Sequence, residues 1–269
     1  MSRPSGRSCD YFLEYLRHRP LFYAIIRGVE ARLMEEAGPF EPPALDLGCG
    51  DGFFAALLAG DRFFAGLDPD IESLRDARRR ESHLFCVAAA AGRMPFPDGF
   101  FATVMANSVL EHIPDLGGAL NEIHRVLRPG GRLLLTSPSH RFADLLAGST
   151  ALRAAGFERL AQRYGQWFHD HSRHFHACDG TRWKEHLESR GFAVRRTQYY
   201  LSGRAMRAFD VAHYLSVARL LSWKLTHQWV LIRIPPVEWA LERWLRRYCD
   251  PSPQQEGGCI FLEAYRRPY

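Results

Sequence analysis

Apolar residues recur along the chain at two spacings, which predict a succession of helices and strands. Apolar positions three or four residues apart predict helices, and short apolar runs bounded by Gly or Pro predict strands. Helices are predicted over residues 11–36 with an interruption at Pro20, and over 53–59, 71–79, 116–127 and 180–190. Strands are predicted over 44–47, 62–67, 84–88, 101–106, 132–136, 192–199 and 259–265. This alternation predicts an α/β fold with a mostly parallel sheet.

Two segments depart from the alternation. Residues 141–179 form a predicted insertion rich in histidine and aromatic residues, and residues 201–248 form a long, apolar, basic and mainly helical stretch broken at Pro235 and Pro236. The predicted organisation is an N-terminal helical segment over 1–40, an α/β domain over 41–200 and 256–269 with an inserted lid over 141–179, and a helical cap over 201–255.

A glycine-rich loop joins the first strand to the next helix. It runs from Asp46 to Gly52, with glycine at positions 48, 50 and 52. Glycine allows a tight turn and a close approach of ligand to backbone, and the following helix offers free N–H groups at its start. A dinucleotide-binding loop would place its third glycine at position 53, where the chain has Phe53. The loop therefore predicts a nucleoside cofactor without a pyrophosphate, such as S-adenosylmethionine.

Five segments in order resemble the class I methyltransferase family, specifically its small-molecule (methyltransferase type 11-like) branch. They are residues 46–52, 66–69, 94–101, 107–113 and 122–131. The resemblance covers about residues 44–138, with a weaker match over 182–194. It implies S-adenosylmethionine as cofactor and a Rossmann-like seven-stranded sheet with helices on both faces and an antiparallel last strand over 259–265.

The resemblance also implies the residues that hold the cofactor. Gly48, Gly50 and Gly52 would contact it, and Asp46 would help to hold its methionine ammonium group. Asp68 would bind the ribose hydroxyls, because a carboxylate can accept two hydrogen bonds from a vicinal diol. The other implied cofactor contacts are Pro69, Arg93, Met94 and Asn107.

Two positions depart from the family pattern. An acid that often meets the adenine amino group is replaced by Ala90, and an acid in the fourth strand is replaced by Ala102. Adenine is then expected to be held by backbone atoms near residues 92–94 or by stacking.

Methyl transfer from a sulfonium needs alignment of the acceptor and a shielded site more than it needs acid–base chemistry. An alcohol or phenol acceptor also needs a base, and His112, which follows the fourth strand, is the first candidate. The alternative is that Glu111 and His112 form a structural turn. A non-catalytic cofactor-binding or scaffold protein of the same fold is the non-enzyme alternative.

Five histidines in or beside the predicted lid are candidates to line the acceptor site. They are His140, His169, His171, His174 and His176. Their spacing invites a metal interpretation, but no cysteine or glutamate completes a familiar metal signature, so no metal is predicted. An insertion after the fifth strand would overhang the cofactor, which favours a lid that binds the acceptor.

The formal charge of +5 is unevenly distributed. Residues 190–247 contain eleven Lys and Arg against three acidic residues, together with several tryptophans. The stretch 201–248 either packs on the domain and covers the pocket or contacts a membrane from one side, since it has no apolar run long enough to span a bilayer. The acceptor is accordingly predicted to be a small molecule or lipid-like, and a quinone or lipid-linked sugar is the membrane-peripheral alternative.

Other features bear on location and partners. The six cysteines contain no CxxC pair, which argues against a disulfide scaffold and fits a reducing compartment. The first residues lack the apolar core of a signal peptide. We expect a cytoplasmic protein, peripheral to the inner face of the membrane if the cap makes contact. No nucleic-acid partner is expected, because no nucleic-acid-binding module is recognisable, and the sequence leaves the oligomeric state open.

Overall fold

The computed structural model describes residues 9–58, 63–230 and 234–268, which contain a seven-stranded sheet covered by helices. The strands are β1 Ala44–Leu47, β2 Phe63–Asp68, β3 His83–Ala88, β4 Phe101–Asn107, β5 Leu127–Pro138, β6 Phe192–Tyr200 and β7 Cys259–Arg266. The helices are α1 Tyr11–His18, α2 Leu21–Glu36, α3 Phe53–Leu57, α4 Ile71–Arg80, α5 Leu116–Val126, α6 Ala147–Ala154, α7 Glu158–Ser172, α8 Gly180–Glu188, α9 Gly203–Leu215, α10 Val217–Thr226 and α11 Pro235–Leu245.

The strand order is β3-β2-β1-β4-β5-β7-β6. Strands β1 to β5 pair in parallel, whereas β7 runs antiparallel to both β5 and β6. The predicted mostly parallel sheet with an antiparallel last strand is therefore confirmed. The chain reverses its direction of strand addition between β1 and β4, and ligands of open α/β sheets bind at such a switch point, outside the carboxyl ends of the strands.

Two apolar cores cover the two faces of the sheet. On one face, α5 and α8 bury their apolar stripes, and Trp183 is fully enclosed there. On the other face, α1, α2 and α9 pack together with Phe142 and Phe168. The N-terminal helices are therefore part of the folded domain. The interruption between α1 and α2 falls at Pro20, as predicted.

Strand β5 is longer than the pattern predicts. The expected strand covered residues 132–136, with Pro129, Gly130 and Gly131 acting as the helix stop, but α5 ends at Val126 and β5 begins at the next residue. The pairing of β4 with β5 shifts register at the Pro-Gly-Gly segment. Phe101 pairs with Leu127, but Thr103, two residues later, pairs with Arg132. The predicted end of α3 at residue 59 and start of β2 at residue 62, like residues 1–8 of the N-terminal segment, lie outside the described residues.

The predicted lid and cap are both largely helical. Helices α6 and α7 occupy the lid, and α9, α10 and α11 occupy the cap, with Pro235 and Pro236 in the first turn of α11. The two tryptophans of α11 differ: Trp244 packs against the core, whereas Trp239 is 63% exposed. No helix in the described ranges is long and apolar enough to cross a membrane.

Candidate functional site

A cavity of about 1060 Å³ opens at the switch point between β1 and β4. The loop after β1, which includes Gly48 and Gly50, forms one side of the cavity. Asn107 at the C-terminal end of β4 and the next residue, Ser108, also line it. The other side comes from the N-terminal helices, from α4, and from α10 and the chain that follows it. Residues from those parts of the wall include Tyr15, Arg19, Tyr23, Arg27, Trp223 and Trp229.

The glycine loop has the backbone that the sequence predicts. Gly48, Gly50 and Gly52 have φ angles of +71°, +52° and +72°, which favour glycine. A Cβ on Gly48 would meet Val109 at 2.4 Å, and one on Gly52 would meet Ser82 at 2.7 Å. A Cβ on Gly50 would meet nothing within 4 Å, because this glycine faces the cavity. A cofactor could therefore lie directly against the backbone of Gly50. We call this open space above Gly50 the cradle.

The two predicted carboxylates play different parts at this loop. Asp68 accepts hydrogen bonds from the N–H groups of Gly50 and Asp70, both at 2.9 Å, and so ties the glycine loop to the end of β2. Asp46 is buried, and its Oδ2 lies 3.0 Å from Nε2 of His83. Burial raises the pKa of Asp46, and the hydrogen bond to His83 opposes that shift.

The segment predicted to hold adenine is fixed by Arg125. Its guanidinium donates to the carbonyl oxygen of Met94 at 2.9 Å and to Glu122, which in turn accepts the N–H of Met94 at 2.8 Å. The N–H of Arg93 donates to the carbonyl oxygen of Ala90 at 3.0 Å. Both N–H groups are thus engaged inside the protein. Pro69 and Arg93, two other implied contacts, are exposed, and Met94 is buried.

A buried carboxylate on α2 connects the N-terminal helices to the ends of two strands. Glu30 is fully buried. It accepts hydrogen bonds from Arg27 Nη1 (2.6 Å), Asn107 Nδ2 (2.9 Å), Ser108 Oγ (2.9 Å) and the Tyr200 hydroxyl (2.9 Å). Four donors compensate the cost of burying this charge. Glu30 therefore orients Arg27, Asn107 and Ser108, which all line the cavity.

Asn107, an implied cofactor contact, is held from both ends of its amide. Its Nδ2 donates to Glu30, and its Oδ1 accepts from the hydroxyl of Thr136 at 2.9 Å. The same hydroxyl accepts the N–H of Ser108 at 2.9 Å. These bonds fix the end of β4 beside the glycine loop, and they leave Asn107 one further amide hydrogen.

Two arginines and a phenylalanine form the part of the wall nearest the glycine loop. Arg19 forms an ion pair with Asp51, and its guanidinium carbon lies 4.2 Å from the centre of the Phe53 ring. Arg80 approaches the same ring at 5.2 Å. A ring between two guanidinium groups is stabilised by cation–π attraction. Both guanidinium groups are ion-paired with Asp51, so this part of the wall presents aromatic surface beside paired charges.

The structure brings His112 together with two of the lid histidines. The rings of His112 and His174 lie 5.3 Å apart, and Nδ1 of His169 lies 3.3 Å from Nδ1 of His174. Burial lowers the pKa of His112, and it lowers the pKa of His174 to about 3. Beside them, burial raises the pKa of Glu111 to about 8, and its Oε2 has no hydrogen-bond partner within the described chain.

The other lid histidines are dispersed. His176 lies 3.0 Å from the carbonyl oxygen of Ile113 and attaches the lid to the turn after β4, His171 stacks on Trp167, and His140 is exposed. None of the five lid candidates, all within the described ranges, lines the cavity, and neither does His112. No group of three or more His, Cys, Asp or Glu in the described residues is arranged to hold a metal ion.

The pattern analysis missed the wall formed by α1 and α2. Arg27 and Glu30 lie three residues apart within the otherwise apolar run of α2, so an ion pair on one helix face could have been predicted. Their partners at the ends of β4 and β6 could not, because Tyr200 is 170 residues away in sequence.

Comparisons with known proteins agree with this geometry. The family model of the methyltransferase domain matches residues 45–135. The chain is 37% identical over 246 residues to a trans-aconitate 2-methyltransferase of Methylobacterium radiotolerans, a match that covers 85% of this chain and 78% of that protein. It is 29% identical to a probable S-adenosylmethionine-dependent methyltransferase of Mycolicibacterium smegmatis, over 63% of this chain and 59% of that protein.

A solved structure also shares the fold. It is an S-adenosylmethionine-dependent methyltransferase of Thermotoga maritima described as a possible histamine N-methyltransferase, with a TM-score of 0.54, 14% identity and 92% of each chain covered. Against three of the curated relatives, the chain spans only 30% to 59% of their length. The glycine loop, the sheet order and these similarities agree, and the chain belongs to the class I methyltransferase family, whose cofactor is S-adenosylmethionine.

Proposed function

We propose that this protein transfers a methyl group from S-adenosylmethionine to a small-molecule or lipid-like acceptor bound in the cavity between α1, α2 and the glycine loop. The proposal rests on one observation. The same cavity is lined on one side by Gly50, which has open space above it, and on the other side by side chains of the N-terminal helices. A single cavity with both walls can hold a cofactor and an acceptor in contact.

Each wall has its own task in this proposal. Gly48 and Gly50 of the cavity wall would hold the cofactor, together with Asp68, which accepts the N–H of Gly50 without itself lining the cavity; the cofactor supplies an activated methyl group when bound. Tyr23 and Arg27 would bind the acceptor, with the guanidinium fixed by Glu30. Aromatic rings beside guanidinium groups suit an acceptor with an apolar body and an acidic group, and trans-aconitate, the acceptor named for one relative, is a first probe.

His112 is the proposed base for acceptors that must lose a proton. It lies in the turn after β4 and does not line the cavity, so this role requires the acceptor to extend past Ser108 to that turn; its lowered pKa keeps the imidazole neutral at pH 7. A neutral imidazole can accept a proton from a hydroxyl group. An acceptor that is already a carboxylate would not need this step.

The experiment compares two glycine variants of similar backbone geometry. Gly50→Ala places a methyl group in the cradle, whereas Gly38→Ala, also at positive φ (+89°) and with open space around it, lies outside the cavity. Both substitutions strain the backbone. We expect S-adenosylmethionine to raise the melting temperature of the native protein and of Gly38→Ala, and to bind Gly50→Ala at least about tenfold more weakly.

Turnover is then measured with S-adenosylmethionine carrying a tritiated methyl group, using trans-aconitate and the aqueous and lipid extracts of cells as acceptors. The proposal expects labelled product with the native protein and much less with Gly50→Ala. Tight cofactor binding without any labelled product would favour the non-catalytic alternative. Stabilisation by a nicotinamide dinucleotide instead of S-adenosylmethionine would contradict the cofactor assignment.

A further inference from the structure

Helix α10 presents apolar side chains that the described parts of the chain do not cover. None of its ten residues is buried. Leu225 is 82% exposed and Leu221 is 56% exposed, and Val217, Leu220 and Trp223 are exposed as well. A helix this short receives little stability from its own hydrogen bonds in water, and it is attached to the domain through the Arg219 guanidinium, which donates to the carbonyl oxygens of Leu16 and Arg19. The helix therefore has the properties of one that is stabilised by an external surface.

The exposed surface extends beyond the helix. Tyr214 and Leu215, at the end of α9, are also about half exposed, and together with the exposed side chains of α10 they form what we call the α10 surface. Contiguous apolar area of this kind on a folded protein marks a site of interaction with another protein or a membrane.

The charge around the α10 surface selects between those two partners. Residues 211–237 contain no Asp or Glu; Lys224 is exposed, and Arg219 is partly buried and donates to the carbonyl oxygens of Leu16 and Arg19. The acids that flank this stretch are engaged: Asp210 accepts from the Tyr164 hydroxyl, and Glu238 forms an ion pair with Arg17. A second copy of the chain would bring like charges together, whereas an anionic lipid surface would neutralise them.

We propose that the α10 surface docks on an anionic lipid bilayer, with α10 lying along the interface. Basic helices with an apolar side bind membranes in this way, with the apolar residues below the headgroups. In α10, Val217, Leu220, Leu221 and Leu225 share one side, whereas Trp223 lies toward the cavity. Trp223 and Trp229 stack at 5.1 Å and line the cavity, so the docked surface adjoins the mouth of the cavity. A lipid-like acceptor would then enter directly from the bilayer, a consequence that rests on the proposed methyl transfer, while docking itself does not.

The test is sedimentation of the full chain with vesicles of phosphatidylglycerol and phosphatidylcholine. The native protein should bind these vesicles at low salt, bind less as salt rises, and bind pure phosphatidylcholine weakly. Leu221→Glu should reduce binding at least tenfold. The matched control is Leu84→Glu, because Leu84 is equally exposed, at 56%, and lies on the edge strand β3; its binding should be unchanged.

Three results would overturn the proposal. They are no binding to anionic vesicles at low salt, an equal loss of binding in Leu221→Glu and Leu84→Glu, or a dimer in solution that Leu221→Glu converts to a monomer. Calorimetry with S-adenosylmethionine is run on the same samples. Leu221→Glu should bind the cofactor as the native protein does, so a failure of docking is distinguishable from a failure of the proposed enzyme activity.

Discussion

The carboxylate of Glu30 on α2 and the side-chain amide of Asn107 at the end of β4 are joined by a hydrogen bond of 2.9 Å. This bond crosses from the N-terminal helices to the carboxyl edge of the sheet. It fixes the side of the cavity assigned to the acceptor relative to the side assigned to the cofactor. The stability of that arrangement can be measured apart from activity.

Glu30→Gln should strongly destabilise the fold. The substitution preserves volume, but it removes the charge that pairs with Arg27 and replaces one acceptor oxygen with a donor. We expect a loss of about 3–5 kcal/mol in the free energy of unfolding, as for other broken buried ion pairs. Urea denaturation measures it. Glu36→Gln, on the same helix but with the side chain 46% exposed, should change the value by less than about 1 kcal/mol, and a similar small effect at Glu30 would refute the argument.

Asp68→Ala should weaken cofactor binding while the protein stays folded. The change removes the acceptor that holds the N–H of Gly50 and the carboxylate expected to bind the ribose. The expected loss is roughly 1.5–3 kcal/mol, the range for hydrogen bonds to charged groups. Calorimetry with S-adenosylmethionine measures it, and Asp250→Ala, at an exposed aspartate that does not line the cavity, serves as the control. Unchanged affinity would show that Asp68 does not contact the cofactor.

His112→Ala should lower kcat by about 10²–10⁴ for an acceptor with a hydroxyl group, without altering cofactor affinity. Because burial lowers the pKa of His112, the base form persists below pH 6.5, and the fall of native activity on the acid side should begin below that pH. Steady-state kinetics across pH 5–9 checks both points. His171→Ala, where the ring stacks on Trp167 at the surface, is the comparison, and equal kcat values for the two variants would remove His112 from the reaction.

The fold should lose stability in acid through His174. Its pKa in the folded protein is about 3, below the ordinary value of 6.5, because burial beside His112, His169 and Arg27 disfavours its charge. The unfolded chain therefore binds the proton first. The stabilisation is complete above about pH 6.5 and is lost as the pH falls toward 3, at up to about 1.4 kcal/mol per pH unit.

Melting temperatures between pH 7 and pH 4 test this expectation. His174→Asn should flatten the dependence on pH, since asparagine does not titrate. His140→Asn alters an exposed histidine and should follow the native curve. If the melting temperatures of the native protein and of His174→Asn fall in parallel as the pH is lowered, another group is responsible for the loss of stability in acid.

Much of the fold and of the cofactor loop could be predicted from the sequence because both depend on local patterns. The alternation of apolar runs and helical spacing predicted all seven strands, and the glycines at positions 48, 50 and 52 have the positive φ angles that such a loop needs. The Pro-Gly-Gly segment predicts a helix stop and not part of β5, because the pairing of Phe101 with Leu127 that extends the strand is a contact between distant residues.

Only the tertiary structure decided which side chains face the cavity on the acceptor side. Motif spacing favoured the histidines near the lid, yet the wall comes from Tyr23 and Arg27 of α2, and His174 is turned inward toward His112. The sequence by itself determined the family, the cofactor and the succession of helices and strands, since these follow from residues close together along the chain, whereas the strand order β3-β2-β1-β4-β5-β7-β6 came from the tertiary structure. The proposed acceptor wall depends on Glu30 meeting Asn107 and Tyr200, and such contacts exist only after distant segments have packed.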